Sequence, residues 1–279
     1  MAEQQVPKEL KFEKKHNCCA YIGDVGEKYS NFQGIVDYLK RSRIVYAIAQ
    51  PHTIYKNHQE DFWKNAALDF WEGKTVIHSK IQGMDILVGE VDFRRVLMLN
   101  DKETDPIKLP WSVQRACFLR MKYFGKITEC QLNKANVSPQ FKYLLHVLIH
   151  VFAPIKGGFD VMRDTISSLA VALIMNKDFN ISGMLFQHMK EVFDGTKTDK
   201  FLMYPRFLQM IIDEKFPNLE KDPLMVLNQE HMDVMTLNRM RSYKGKTEKP
   251  PVRRLFGHLI NPGYTAPDGV QVRLSLIHI

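Results

Sequence analysis

Cysteine is scarce in this chain, four residues in 279, and the scarcity excludes a scaffold built on disulfides. Cys18 and Cys19 are adjacent, Cys117 and Cys130 stand alone, and all four read as reduced thiols of an intracellular protein, cytoplasmic or nuclear. The opening MAEQQVPKELKFEKK is polar throughout and lacks the basic-then-apolar order of a secretory leader. Long hydrophobic runs are missing too. The most apolar stretch, Tyr143 to Ile155, contains two histidines and a proline and falls short of the roughly 20 residues that a bilayer span needs. No membrane span is expected.

Catalytic patterns are equally sparse. Gly23, Gly26 and Gly34 are spaced wrongly for a phosphate loop and precede no Gly-Lys-Ser/Thr. Asp194-Gly195-Thr196 reverses the aspartic-protease order and reads as a turn after a helix. No serine elbow is present, and no acidic triad for two-metal catalysis stands out. His16, Cys18 and Cys19 lack the spacing and the second ligand pair of a zinc site. His146 and His150, four apart, share a helix face, but without HExxH or a third ligand they read as core or helix-face histidines. The expectation is a non-enzymatic chain with no catalytic residue, metal ligand, cofactor or small-molecule ligand.

What is present is an ordinary globular composition with one electrostatic handle. Apolar residues make up 45% and charged residues 25%, which suits a folded body burying roughly three quarters of its unfolded surface. The formal charge of +8 is uneven. Between positions 239 and 254, Arg239, Arg241, Lys244, Lys246, Lys249, Arg253 and Arg254 face Glu248 alone, a surplus of six that leaves two for the rest. Such a segment is the candidate contact for the phosphate backbone of RNA or DNA, without sequence preference and sensitive to salt. A solvated linker is the plain alternative.

Periodicity supplies the organisation. Ser30 caps a helix with Phe32, Ile35, Val36 and Leu39 on one face. A second helix starts near Thr53 and carries Tyr55, Phe62, Trp63 and Ala66 inward until Gly73 stops it. The aromatic run Asp61 to Trp71 is thereby assigned to core packing rather than to a stacking platform for single strands. Ile77, Ser79 and Ile81, the Gln82-Gly83 turn, then Met84, Ile86 and Val88 give one small β-hairpin near residues 75–88. Helices follow from Glu90, from Ser112 to Phe124, and from a capping Ser138 with Pro139 to about Phe152. Further helices are expected over 160–176, 182–193 and 205–214, then one or two short ones over 224–237. The helix after Pro139 is apolar nearly all round and belongs at the centre. Tyr204 and Arg206 are expected to tie down the loop before Pro205.

The fold class read from this is mainly α, α+β at the margin. Residues 1–28 read as a flexible N-terminal arm, 29–238 as a multi-helix domain, and 239–273 as a basic Pro/Gly-containing tail or linker. The final six, LSLIHI (274–279), read as the translation of a sequencing-library adapter and are left out of the fold reading.

Six phrases run along the chain: Asn31 to Ser42, Val45 to Tyr55, Asp61 to Ala66, Ile81 to Leu97, Phe141 to His146 and Lys200 to Met210. In this order, over about residues 31–216, they resemble the N-terminal domain of plant retroelement polyproteins, the gag-like or plant transposon protein chains. The resemblance implies an element-encoded structural protein that self-associates and contacts nucleic acid, upstream of enzymatic domains. It carries over no catalytic residue, and the zinc knuckle of a complete gag has no counterpart here. Two rival readings are a transposition nuclease or transposase, which needs three converging carboxylates, and a longin-like trafficking adaptor, which needs a five-stranded sheet.

Overall fold

The computed structural model describes residues 11–129, 132–193 and 201–242. In chain order the helices are α1 (Gln33–Lys40), α2 (Val45–Ala49), α3 (Lys56–Asn65), α4 (Glu90–Val96) and α5 (Trp111–Arg120). They continue with α6 (Pro139–Phe152), α7 (Asp164–Ile174), α8 (Ile181–Lys190), α9 (Pro205–Lys215) and α10 (Val234–Met240). The strands are β1 (Ile54–Tyr55), β2 (Ala67–Trp71), β3 (Lys74–Ile81), β4 (Met84–Val88), β5 (Leu132–Asn133), β6 (Val161–Met162) and β7 (Val226–Leu227).

Helix α6 is the axis of the molecule. Pro139 opens it at a position whose N–H has no intrahelical partner to lose, while the Ser138 hydroxyl makes no capping bond. From Phe141 to Phe152 every residue is buried, as the all-round apolar pattern requires of a central helix. Helices α1, α7 and α10 pack against it, and α4 packs against α8 and α9. No helix among the described residues is long and apolar enough to cross a membrane.

The β content exceeds the expected hairpin and makes the fold mixed α+β, with about 47% helix and 13% strand among the described residues. Strands β2, β3 and β4 form an antiparallel meander, with Leu68 opposite Ile77 and Ile77 opposite Val88. Both turns are two residues long with both φ values positive: Glu72 (48°) and Gly73 (78°), then Gln82 (48°) and Gly83 (82°). That geometry matches the strand twist, and each glycine takes the second position without a Cβ penalty. Two further antiparallel pairs, β1 with β7 and β5 with β6, are two residues long.

Three expectations need correction. The second helix does not run to Gly73. It ends at Asn65, whose Nδ2 donates to Asp61 O and Lys80 O, and Ala67–Trp71 pairs with β3 instead. The Glu72-Gly73 turn fixes this: it feeds a hairpin, and pairing to β3 outweighs a helical pattern that a five-residue stretch cannot specify.

Residues 11–28, expected as part of a flexible arm, are built into the body. Asn17, with φ of 59°, donates its N–H to His150 O at 2.6 Å and its Nδ2 to Val151 O, while its Oδ1 accepts from Phe207 N–H. Lys11 bridges Phe201, and His16, Cys18 and Cys19 are buried. This segment has no period because side chains and backbone carbonyls, rather than a helix or sheet, satisfy its polar groups. The boundary at 238/239 also falls inside α10, so Arg239 belongs to the body.

Candidate functional site

Of the seven basic residues assigned to nucleic acid, two are placed. Arg239 lies in the last turn of α10 and donates from Nη2 to Thr236 Oγ1 at 3.1 Å; Arg241 follows it, exposed. Lys244, Lys246, Lys249, Arg253 and Arg254 lie outside the described residues.

Arg239 lines a cavity of about 170 Å³ at the side of α6. Lys15 supplies a second cation and Glu230 one anion, while His146 and His150 from α6 and His231 from the segment before α10 supply three imidazoles. Phe159 closes one side, its ring stacked on His150 at 4.3 Å between centroids and 9° between planes. The pair four residues apart on α6 was the sequence signal for this place. Its partners come from positions 15, 159 and 230–239, which no local spacing connects.

Hydrogen bonds fix the ring tautomers. Lys134, buried, donates from Nζ to Phe159 O, to Asp160 Oδ1 at 3.1 Å and to His146 Nδ1 at 3.0 Å. An ammonium has three donors and no acceptor, so His146 Nδ1 is the bare nitrogen and Nε2 carries the proton. His150 Nδ1 meets Lys15 O at 2.9 Å, and a carbonyl can only accept, so Nδ1 carries the proton and Nε2 is bare. His231 Nδ1 accepts from Cys19 N–H at 3.1 Å, leaving Nε2–H as donor. The cavity is therefore lined by two imidazoles whose remaining nitrogen donates and one whose remaining nitrogen accepts.

Burial holds the α6 pair neutral. Desolvation lowers the His150 value from 6.5 to about 4, with Lys134, Lys15 and Arg239 adding to the fall and the bond to Lys15 O opposing it. His146 is pushed further down, by desolvation first and then by His150, Lys134, Arg239 and Lys142. Glu230, His231 and the Cys18 thiol are the other titratable groups lining the cavity; burial raises that thiol to about 12. Both α6 rings hold fewer protons folded than unfolded, so stability is complete above the unfolded value of 6.5 and falls as pH drops toward about 4. His150 alone accounts for a loss of about 2 kcal/mol between pH 7 and pH 5. Urea denaturation at the two pH values measures it, and His150→Gln should shrink the difference. A profile indifferent to pH would mean that the rings take up protons in the fold as readily as in the unfolded chain.

Other arrangements were expected from the rival readings. Among the described residues no three His, Cys, Asp or Glu side chains are placed to hold a metal ion, and the largest sheet has three strands. A wider groove of about 700 Å³ runs between β3, α4 and α8, and internal pairs take up several of its polar groups. Lys74 meets Glu103, Arg94 meets Glu90 and Asp101, and Asn180 Oδ1 caps α8 by accepting from Gly183 N–H. Ser182, the expected first residue of that helix, lies inside it and donates to Asp101 Oδ1. No protein-family model, curated protein or solved structure matches this chain.

Proposed function

We propose that the chain is a non-enzymatic structural protein of retroelement origin, which self-associates and contacts RNA or DNA phosphates through the basic residues at 239–254. The observation that carries the reading is strand β2. It pairs with β3 along one edge and with no strand among the described residues along the other. All five of its residues are exposed, with Phe70 at 69% and Trp71 at 55%. A bare edge bearing large aromatics is a template for pairing with another chain, a liability that solitary proteins blunt with charge or proline. Here Asp69 is the sole charge on the strand, and a second copy supplies a complementary edge. The resemblance of the six phrases and the confinement of the charge surplus support the other half of the reading.

The test is sedimentation velocity on the full chain and on a Phe70→Glu, Trp71→Glu variant. Wild-type protein should show concentration-dependent association at least about 10-fold tighter than the variant, a difference of about 1.4 kcal/mol. Stability should be nearly unchanged, because exposed side chains are removed. A wild-type chain that stays monomeric at high concentration would remove the self-association from this proposal.

A further inference from the structure

The cavity beside α6 is lined by no residue of strand β2 and, among the described residues of the basic segment, it meets Arg239. Its volume, about 170 Å³, is well above the roughly 10–15 Å³ that one water needs and below the roughly 300 Å³ where coenzyme-sized pockets begin. Its occupant is small. The surrounding charge is positive: Lys15 and Arg239 line it and make no ion pair among the described residues, and Lys134 and Lys142 stand behind the imidazoles. Among the described residues Glu230 is the one carboxylate on the lining, and Asp160 is taken up by Lys134. An anion is therefore favoured.

The tautomers narrow the choice. His146 and His231 offer N–H donors, but His150 Nε2 offers a lone pair, and an anion without a hydrogen would leave that lone pair facing negative oxygen. A carboxylate or sulfate has no hydrogen to give near neutral pH. A phosphate does, because its second ionisation falls near pH 6 for an ester. We infer that this cavity is a site for one phosphate group, free or as a monoester, bound by Lys15 and Arg239, with His146 and His231 donating and His150 accepting. One proton sits between a phosphate oxygen and His150 Nε2, and a phosphate arriving without it takes it up from solvent. The proposal goes beyond the structural role above, which needs no cavity.

The test uses the full chain with isotope-labelled histidines, titrated at neutral pH with inorganic phosphate and then with sulfate. Phosphate should shift the His146, His150 and His231 ring signals together and to saturation. His52 and His78, outside the cavity, should stay in place. Sulfate should bind at least about 10-fold more weakly, the gap closing as pH falls and His150 acquires its own proton. Arg239→Gln and Lys15→Gln, both at exposed positions, should each weaken phosphate about 10-fold without disturbing other signals. Oligothymidylate carrying a 5′-phosphate, compared with its 5′-hydroxyl twin, separates the sources. Ring shifts with the first alone point to a strand end; shifts with neither, beside a response to inorganic phosphate, point to a small phosphate. Ring signals that ignore phosphate, equal responses to phosphate and sulfate, or wild-type binding by both variants would each overturn the assignment. None of these outcomes depends on self-association or on residues 244–254, so the site and the structural role fail separately.

Discussion

Replacing Arg206 by methionine should lower the free energy of unfolding by about 3–5 kcal/mol, the range for breaking a buried charged interaction by removing one partner. The guanidinium is fully buried and its partners are all backbone carbonyls: Nε to Asn17 O at 2.9 Å, Nη1 to Gln50 O and Nη2 to Ala47 O, both at 2.7 Å. No carboxylate pairs with it among the described residues. Ala47 and Gln50 close α2, so the cation sits at the negative end of that helix. Phe207 covers one face, with the guanidinium carbon 4.6 Å from its ring centroid. The nearby thiols Cys18 and Cys19 stay neutral through burial and supply no counter-charge.

Methionine fills much of the volume but leaves three carbonyls facing an apolar side chain, each costing about 1–3 kcal/mol less the desolvation that arginine itself pays. Lysine should rescue little, because one ammonium cannot reproduce a planar fork that reaches two separate segments. Urea denaturation should show a lower midpoint at unchanged slope. A loss below about 1 kcal/mol would mean that water reaches the three carbonyls and that Arg206 does not hold the N-terminal segment to α2 and α9.

Arg206 also shows what was legible. The YPRF phrase announced a helix start at Pro205 and a tied-down loop, and both are present: Tyr204 takes φ 51°, ψ 47°, a costly conformation for a bulky residue. It is held there by His16 Nε2 accepting its N–H, and by its hydroxyl donating to Phe152 O and accepting from His188 Nδ1. The partners could not be read, because Asn17, Ala47 and Gln50 carry no periodic signal and act through carbonyls. The hairpin over β3 and β4 was legible from alternation and its Gln82-Gly83 turn, whereas β2 was hidden behind a plausible helical spacing.

The cavity was legible in one element only. Two histidines on an otherwise apolar helix marked the place, but the reading as core residues was half of the matter: they are buried, and they also line an opening. Lys15 reaches it from one part of the sequence and His231 and Arg239 from another, while Lys134 backs His146, so chain topology rather than spacing assembles it.

The most direct test of the proposed role is binding of the full chain to labelled single-stranded RNA and duplex DNA, by fluorescence anisotropy across a salt series. The comparison is a variant with Arg239, Arg241, Lys244, Lys246, Lys249, Arg253 and Arg254 all changed to glutamine. Seven phosphate contacts predict a log–log slope of about −5 on a single strand, or a loss of about 1,000-fold between 50 and 200 mM salt. The variant should lose nearly all of the affinity and the slope, with similar affinity for unrelated sequences in the parent chain. Binding that survives the seven substitutions, or that ignores salt, would contradict the assignment of this segment as the nucleic-acid contact.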